Sequence, residues 1–478
     1  MMRKFKKILT DISLFRIVYA VALFFTSFCH TEVVGHGIKY LLTVWGIGLI
    51  IFYYIRPKRL HKVLYGVWLT AFVIAYLITC VIHLWDNFFL NMVLLGHVVV
   101  CFFVLYGIHT EEKTDVNKEI YIIAHFILFA TTLAMVISFI TLPFGEQHFT
   151  FTGNDYRMVI YENRFTGIFT NPNLLAFYGV VAIVFAHILA KEDLYKENLK
   201  RILGNKILII FSLINALGVF LSDSNGSLLL LCGYIIVNVI YRIFCELKTV
   251  NLKKILLITG SSLIIAVMLL GGLVGLRIFS NKAVSVALSA GNAVSQGKAI
   301  DPMKGKPDKS SEDKISVVTF AHENDNLDSG RIKLLQKAVV VFANYPIFGV
   351  GKENIVLYGS RLMEKGFKYS DLHNGYLTIL VGNGLVGFVI FLGFALAFGK
   401  HLFKSVFLEK SDLKNSPFIC IFSFLCAYCV YALIEKTILL EHSYMIAMFW
   451  YFIGYASCYM KRYDHTEETF HIKSLFGQ

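Results

Sequence analysis

The stretch SDLHNGYLTILVGNGLVGFVIFLGFALAF, Ser370 to Phe398, decides how the rest of the chain is read. From Gly375 to Phe398 it carries no charged residue and is long enough for a helix to cross a ~30 Å hydrocarbon core, which takes about 20 residues. Immediately before it stand His373 and Asn374, at the point where a polar segment enters a membrane span. An imidazole that titrates near neutrality can relay a proton there, and the entry of a helix holds it beside any substrate lying in the bilayer.

The pattern recurs along the chain. A mean hydropathy of +0.64 and 56% hydrophobic residues over 478 positions exclude a soluble protein, which would leave large apolar areas in water. The expected fold is an all-α integral membrane protein of about 12 transmembrane helices. Its spans read as Ile12–Cys29, Ile38–Ile55, Val63–Leu84, Phe88–Ile108, Ile120–Leu142, Leu174–Leu189, Ile207–Leu221, Leu228–Cys245, Ile255–Ile278, Gly375–Phe398, Pro417–Ile434 and His442–Met460. Spans 1–9 occupy residues 1–278, a large polar loop residues 279–374, and spans 10–12 with a tail residues 375–478.

Basic residues set the orientation. They crowd the amino terminus (Arg3, Lys4, Lys6, Lys7), Arg56 to Lys62, Lys191 to Lys206, Arg242 to Lys254, Lys400 to Lys414 and the tail from Lys461, all of which parity assigns to the cytoplasm. The short loops around Glu32, Asp86, Asn225 and Glu435 fall outside and hold almost none. Much of the +13 net charge is therefore topological and directed at anionic lipid, without any need for nucleic acid. The basic start followed by an apolar run lacks a small-residue cleavage site and reads as an uncleaved first span. All nine cysteines fall in or at the ends of spans, which excludes an external disulfide framework, and Cys426-x-x-Cys429 reads as packing. No phosphate-cradling Gly-x-x-x-x-Gly-Lys-Ser/Thr loop is present, so ATP hydrolysis by this chain is not expected.

Two segments on the outer side are long enough to act, about 143–173 and 279–374. Within the second, Ala290 to Lys314 is rich in small residues and lysine and reads as flexible. Farther on, Asp328-Ser329 can cap an amphipathic helix through Phe342, with an apolar face of Ile332, Leu335, Val339 and Phe342 lying on the membrane, and a stop at Pro346. Arg331, Lys333 and Lys337 give that helix its positive charge.

Three motifs resemble the O-antigen ligase and polysaccharide polymerase family of bacterial envelopes, which includes the Wzy-type polymerases. They are Arg164-Phe165-Thr166-Gly167 leading to Asn171-Pro172-Asn173, then Arg331 followed by Pro346-Ile347-Phe348-Gly349-Val350-Gly351, then His373-Asn374-Gly375-Tyr376-Leu377. Their order, spacing and common side carry the resemblance over roughly Arg164 to Gly387. The turn Ser222-Asp223-Ser224-Asn225-Gly226-Ser227 departs from it, lacking the arginine that family ligases often place there, and so favours polymerase over ligase.

The resemblance implies a GT-C-type membrane glycosyltransferase. Glycan would pass from an undecaprenyl-diphosphate-linked donor to an acceptor glycan on the outer face of the bacterial cytoplasmic membrane, with a flippase and a chain-length regulator as further partners. Guanidinium forks stabilise charge developing on a leaving diphosphate better than lysine does, which points to Arg164 and Arg331, with Arg157 in reserve. His373 would take the acceptor hydroxyl's proton, while Asp371 orients it. Asn374 would hold the imidazole or a sugar hydroxyl, or simply cap the next span. Asn171 and Asn173 read either as substrate contacts or as the cap of a helix opened by Pro172, and Tyr376 as a substrate contact or an interfacial anchor. No metal or cofactor is needed on this account, because the donor already has a good leaving group. The rival class is a lipid-linked glycan transporter, for which His97, His125 and His187 would be the polar groups inside the bilayer.

Overall fold

The computed structural model describes residues 8–28, 31–54, 63–110, 115–151, 154–161, 164–195, 199–246, 252–295, 331–363, 367, 372–408 and 415–463. The helices are α1 (Ile12–Phe25), α2 (Glu32–Tyr54), α3 (Gly66–Ile82), α4 (Phe88–Val100), α5 (Val116–Thr141), α6 (Pro172–Leu189) and α7 (Asn205–Leu221). They continue with α8 (Asn225–Glu246), α9 (Leu252–Ser295), α10 (Arg331–Asn344), α11 (Ile355–Leu362), α12 (Gly375–Leu408), α13 (Phe418–Tyr431) and α14 (Tyr444–Tyr463). Each of the twelve apolar stretches read from the sequence lies on one of them. Seven described helices are long and apolar enough to cross a membrane by length and composition, and four shorter apolar ones accompany them.

Local signals explain several helix starts. Asp11 and Asp115 accept hydrogen bonds from the backbone amides of Leu14 and Lys118, each at 3.0 Å, and so satisfy donors that a helix leaves unpaired at its start. Charge placed inside the bundle is paired. Arg16 on α1, wholly buried, reaches Glu119 on α5 through Nε and Nη2, both at 2.8 Å, and Ser13 and Tyr455 donate to the same carboxylate. The histidines that would have served a transporter are held by neighbours: His97 by Tyr19 at 2.6 Å, His125 by the Tyr121 carbonyl at 2.8 Å and His187 by Tyr234 at 2.6 Å.

The structure adds three features around the polar segments. The segment about 143–173 folds as a three-stranded antiparallel sheet in the order β1 (Gln147–Phe151), β2 (Asn154–Tyr161), β3 (Arg164–Gly167), so the helical fold carries a small β element at one end. The helix that carries the ninth span does not stop near Ile278, because α9 runs unbroken for 44 residues to Ser295. On α10 the face read as lying on the membrane is exposed at Ile332, Leu335 and Val339, Phe342 is partly buried, and a second apolar row the sequence reading did not name, Leu334, Ala338 and Val341, is buried. Those three pack on Val350, Ile355, Tyr358, Phe367, Leu372, Leu377 and Val381. The helix has apolar residues on both faces, and the loop's own core claims one of them. The proposed cap, Asp328-Ser329, and most of Ala290 to Lys314 lie outside the described residues.

A break in α12 seats this core. Gly384 has φ +65° and ψ −172°, which interrupts the helix and frees backbone groups that the interior of a span cannot leave unpaired. The segment Pro346–Gly351 fills the gap. Leu385 and Val386 donate to the carbonyls of Pro346 and Ile347, while Val350 and Gly351 donate to those of Val381 and Gly382, at 2.8–3.1 Å. Gly349 (φ +67°) lies against this crossing, where a Cβ would come within 2.4 Å of the Val381 carbonyl oxygen. The Pro-x-x-Gly-x-Gly motif is thus a backbone plug that fixes the polar loop to α12.

Candidate functional site

The plug and the start of α12 bring chain-distant residues to one end of the bundle. Gly375 donates its N–H to the Ala432 carbonyl at 2.8 Å, stitching the His373-Asn374 junction to the turn after α13. Glu435 stands in that turn, its own N–H bonded to Tyr431 at 3.1 Å. The carboxylate is 7% exposed and divides its oxygens: Oε1 lies 3.2 Å from Arg331 Nη2, and Oε2 lies 3.5 Å from His373 Nδ1. Arg331 and His373, predicted from separate motifs, therefore meet on one buried acid.

His373 itself has φ +45°, a left-handed conformation rare outside glycine and often kept at functional sites. Its side chain is 39% exposed, yet Nδ1 is buried and has no aligned hydrogen-bond partner among the described residues. The contact with Glu435 is within ion-pair reach but lacks hydrogen-bond alignment. The exposed part of the ring is its other edge. Asn374 does what the plainer reading expected, its Oδ1 accepting the Leu377 N–H at 2.9 Å as a helix cap. The Tyr376 hydroxyl donates to the Cys429 carbonyl at 2.9 Å, tying α12 to α13.

The second arginine is held rigidly. Arg164 donates from Nε to the Ser222 carbonyl at 3.0 Å and from Nη2 to Asn173 Oδ1 at 2.6 Å. Asn171 caps α6, accepting the Asn173 N–H at 2.7 Å, with Pro172 in the first turn. The Asn-Pro-Asn motif thus builds a helix start and places one amide against Arg164. Arg157 stands apart on β2, half exposed, 3.7 Å from Glu146 and over the Tyr161 ring at 5.5 Å. Asp371, expected to orient His373, lies outside the described residues.

Sequence reasoning missed two residues. Glu435 was only a marker of a short outer loop, although a lone acid at the end of an apolar span is a signal in itself. Arg277 passed as the outer end of the ninth span. Its Nε lies 3.1 Å from Asp223 Oδ1 and its Nη1 donates to Asn225 at 2.7 Å, so α9 supplies an arginine to the turn that lacks its own. That turn connects the two halves of the site: Ser222 holds Arg164, and Gly226 packs so closely on Tyr431 that a Cβ would come within 3.0 Å of the ring. Arg331 and His373 thus face Glu435, Arg277 faces Asp223, and Arg164 is held by the neutral Ser222 carbonyl and Asn173 amide, an arrangement suited to an anion.

Residues 210–392 match the family described as O-antigen ligase. The matched region holds Arg277, Arg331 and His373, while Arg164 and Glu435 lie on either side of it. No curated protein matches the chain. The similarity to that family covers less than half of the chain.

Proposed function

We propose that this chain, similar to the O-antigen ligase family over residues 210–392, is a polysaccharide polymerase. It would move glycan from an undecaprenyl-diphosphate-linked donor to a hydroxyl of an acceptor glycan at the outer face of the cytoplasmic membrane. The observation that carries the reading is the meeting of Arg331 and His373 on Glu435, with Arg164 held across the Ser222 turn. Arginine forks match phosphate oxygens, and their charge counts for more where the bundle and the loop core restrict water. Arg331 and Arg164 bind the diphosphate and stabilise the negative charge that grows as the anomeric carbon–oxygen bond breaks. The exposed edge of His373 takes the acceptor proton. Asn173 and Asn374 serve as positioning residues through Arg164 and the helix start, and Arg157 meets more distant parts of the glycan. The sequence of Ser222–Ser227, without an arginine of its own, is what favours polymerase over ligase, and Arg277 from α9 offsets that difference in the fold.

The test is His373→Ala, compared at equal membrane abundance. Polymer formation is expected to fall by about 10²–10⁴-fold, the usual contribution of a general base. Near-normal polymer would remove His373 from the mechanism.

A further inference from the structure

Glu435 touches both halves of this chemistry: it accepts a long hydrogen bond from Arg331 Nη2 and lies within ion-pair reach of His373 Nδ1 without an aligned bond. A buried carboxylate needs a cation or several donors to remain charged. Here it is 7% exposed and shared between Arg331, 34% exposed, and His373, 39% exposed. The Arg331 bond, at 3.2 Å, is longer than the roughly 2.7–2.9 Å of a tight charge-assisted one, and the His373 contact, at 3.5 Å, is longer still. One acid is therefore poised between two partners. The backbone bonds Glu435 N to Tyr431 O and Gly375 N to Ala432 O fix the acid and the histidine relative to each other, while Arg331 arrives on a separate helix.

Resting on the glycan-transfer reading above, we propose that Glu435 is a positioning residue that couples donor capture to acceptor activation. Phosphate oxygens of the donor draw Arg331 away from Glu435. The freed carboxylate turns to His373 Nδ1–H, orients the ring with Nε2 toward the acceptor, and stabilises the imidazolium that forms. In the transfer, the acceptor oxygen bonds to the anomeric carbon and the carbon–oxygen bond to the diphosphate breaks. The electron pair leaves with the diphosphate, the hydroxyl proton goes to Nε2, and Glu435 stays ionised throughout. Acceptor activation is then strongest when a donor is in place, which limits wasteful transfer to water.

Glu435→Gln keeps the shape and removes the charge. Two quantities are read on the purified full-length chain in detergent: affinity for radiolabelled undecaprenyl diphosphate, and turnover with the lipid-linked donor. Freed of its competitor, Arg331 should bind undecaprenyl diphosphate about 3–10-fold more tightly while turnover falls about 10–100-fold. A merely structural defect would weaken both. Glu435→Asp, which withdraws the carboxylate by one methylene but keeps its charge, should move both quantities the same way by less, and serves if Gln does not survive purification. Unchanged or weaker binding, or unchanged turnover, overturns the coupling. Arg331→Ala separates the two levels of the argument: unchanged undecaprenyl diphosphate affinity there refutes the diphosphate reading itself. A loss at Arg331→Ala without a gain at Glu435→Gln refutes only the coupling.

Discussion

Gly349→Ala tests whether the plug in α12 holds the site together. Its φ of +67° costs a residue with a Cβ roughly 1–2 kcal/mol. The added methyl would also lie 2.4 Å from the Val381 carbonyl oxygen and 2.5 Å from the Gly384 nitrogen, backbone atoms that cannot swing aside. Relief requires the plug to back out, which breaks Val350 N to Val381 O and Gly351 N to Gly382 O. At about 1–3 kcal/mol for each of these two buried bonds lost, the total is on the order of 3–8 kcal/mol. Gly145→Ala is the control: its φ is also +67°, but nothing lies within 4 Å of the added carbon, and the strain alone is about 1–3 kcal/mol. Thermal denaturation in detergent micelles, followed by size exclusion, should show the Gly349 variant unfolding well below the Gly145 variant. Polymer formation should fall with it, because α10 and Arg331 lose their seat. Equal midpoints for the two variants would refute the plug.

Lysine at Arg164 or Arg331 should restore less than about a tenth of activity, because a point charge lacks the fork; for Arg164 it also cannot hold both Ser222 and Asn173. Full activity of both variants in a polymer assay would indicate general electrostatic attraction instead. Near the other end of the loop, hydrogen bonds from Arg361 and the Tyr358 hydroxyl hold the Asp86 carboxyl below the usual carboxylate range. A depressed folded value means its contribution is present above about pH 4 and fades as the pH falls below that. Protection of α11 against hydrogen exchange, corrected for the intrinsic amide rate at each pH, should therefore fall in acid, and Asp86→Asn should show low protection already at neutral pH; a corrected wild-type profile flat from about pH 6 to 3 would contradict this. Glu119→Gln strands Arg16 in the bundle and should cost about 3–5 kcal/mol, read as a lower unfolding midpoint at unchanged sequence elsewhere.

Helices were legible because a span announces itself by length and lack of charge, and every apolar stretch found its helix. The break at Gly384 was not, since glycine inside a span is tolerated and only the partner segment shows which one is kinked. The sheet was also missed, although Phe149-Thr150-Phe151 alternates and Gly153-Asn154 follows as a turn signal. For α10 the apolar residues offered two faces, and burial by a distant core chose between them. At the site, Arg164, Arg331 and His373 were found as motif residues. Their partners Glu435 and Ser222 were not, because they are joined to them only by the fold: 104 residues separate Arg331 from Glu435. Asn171, Asn374 and Tyr376 proved to be caps and a tie in the helical frame.

The most direct measurement incubates the purified full-length chain in detergent micelles with a defined undecaprenyl-diphosphate-linked repeat unit and a metal chelator. The arginine and histidine chemistry needs no gradient, ATP or divalent ion, so longer glycans should appear and free undecaprenyl diphosphate should accumulate in step with them. Both should be lost in His373→Ala. Glycan processing that occurs only in sealed vesicles carrying an ion gradient, or only with a divalent metal restored, would contradict the account.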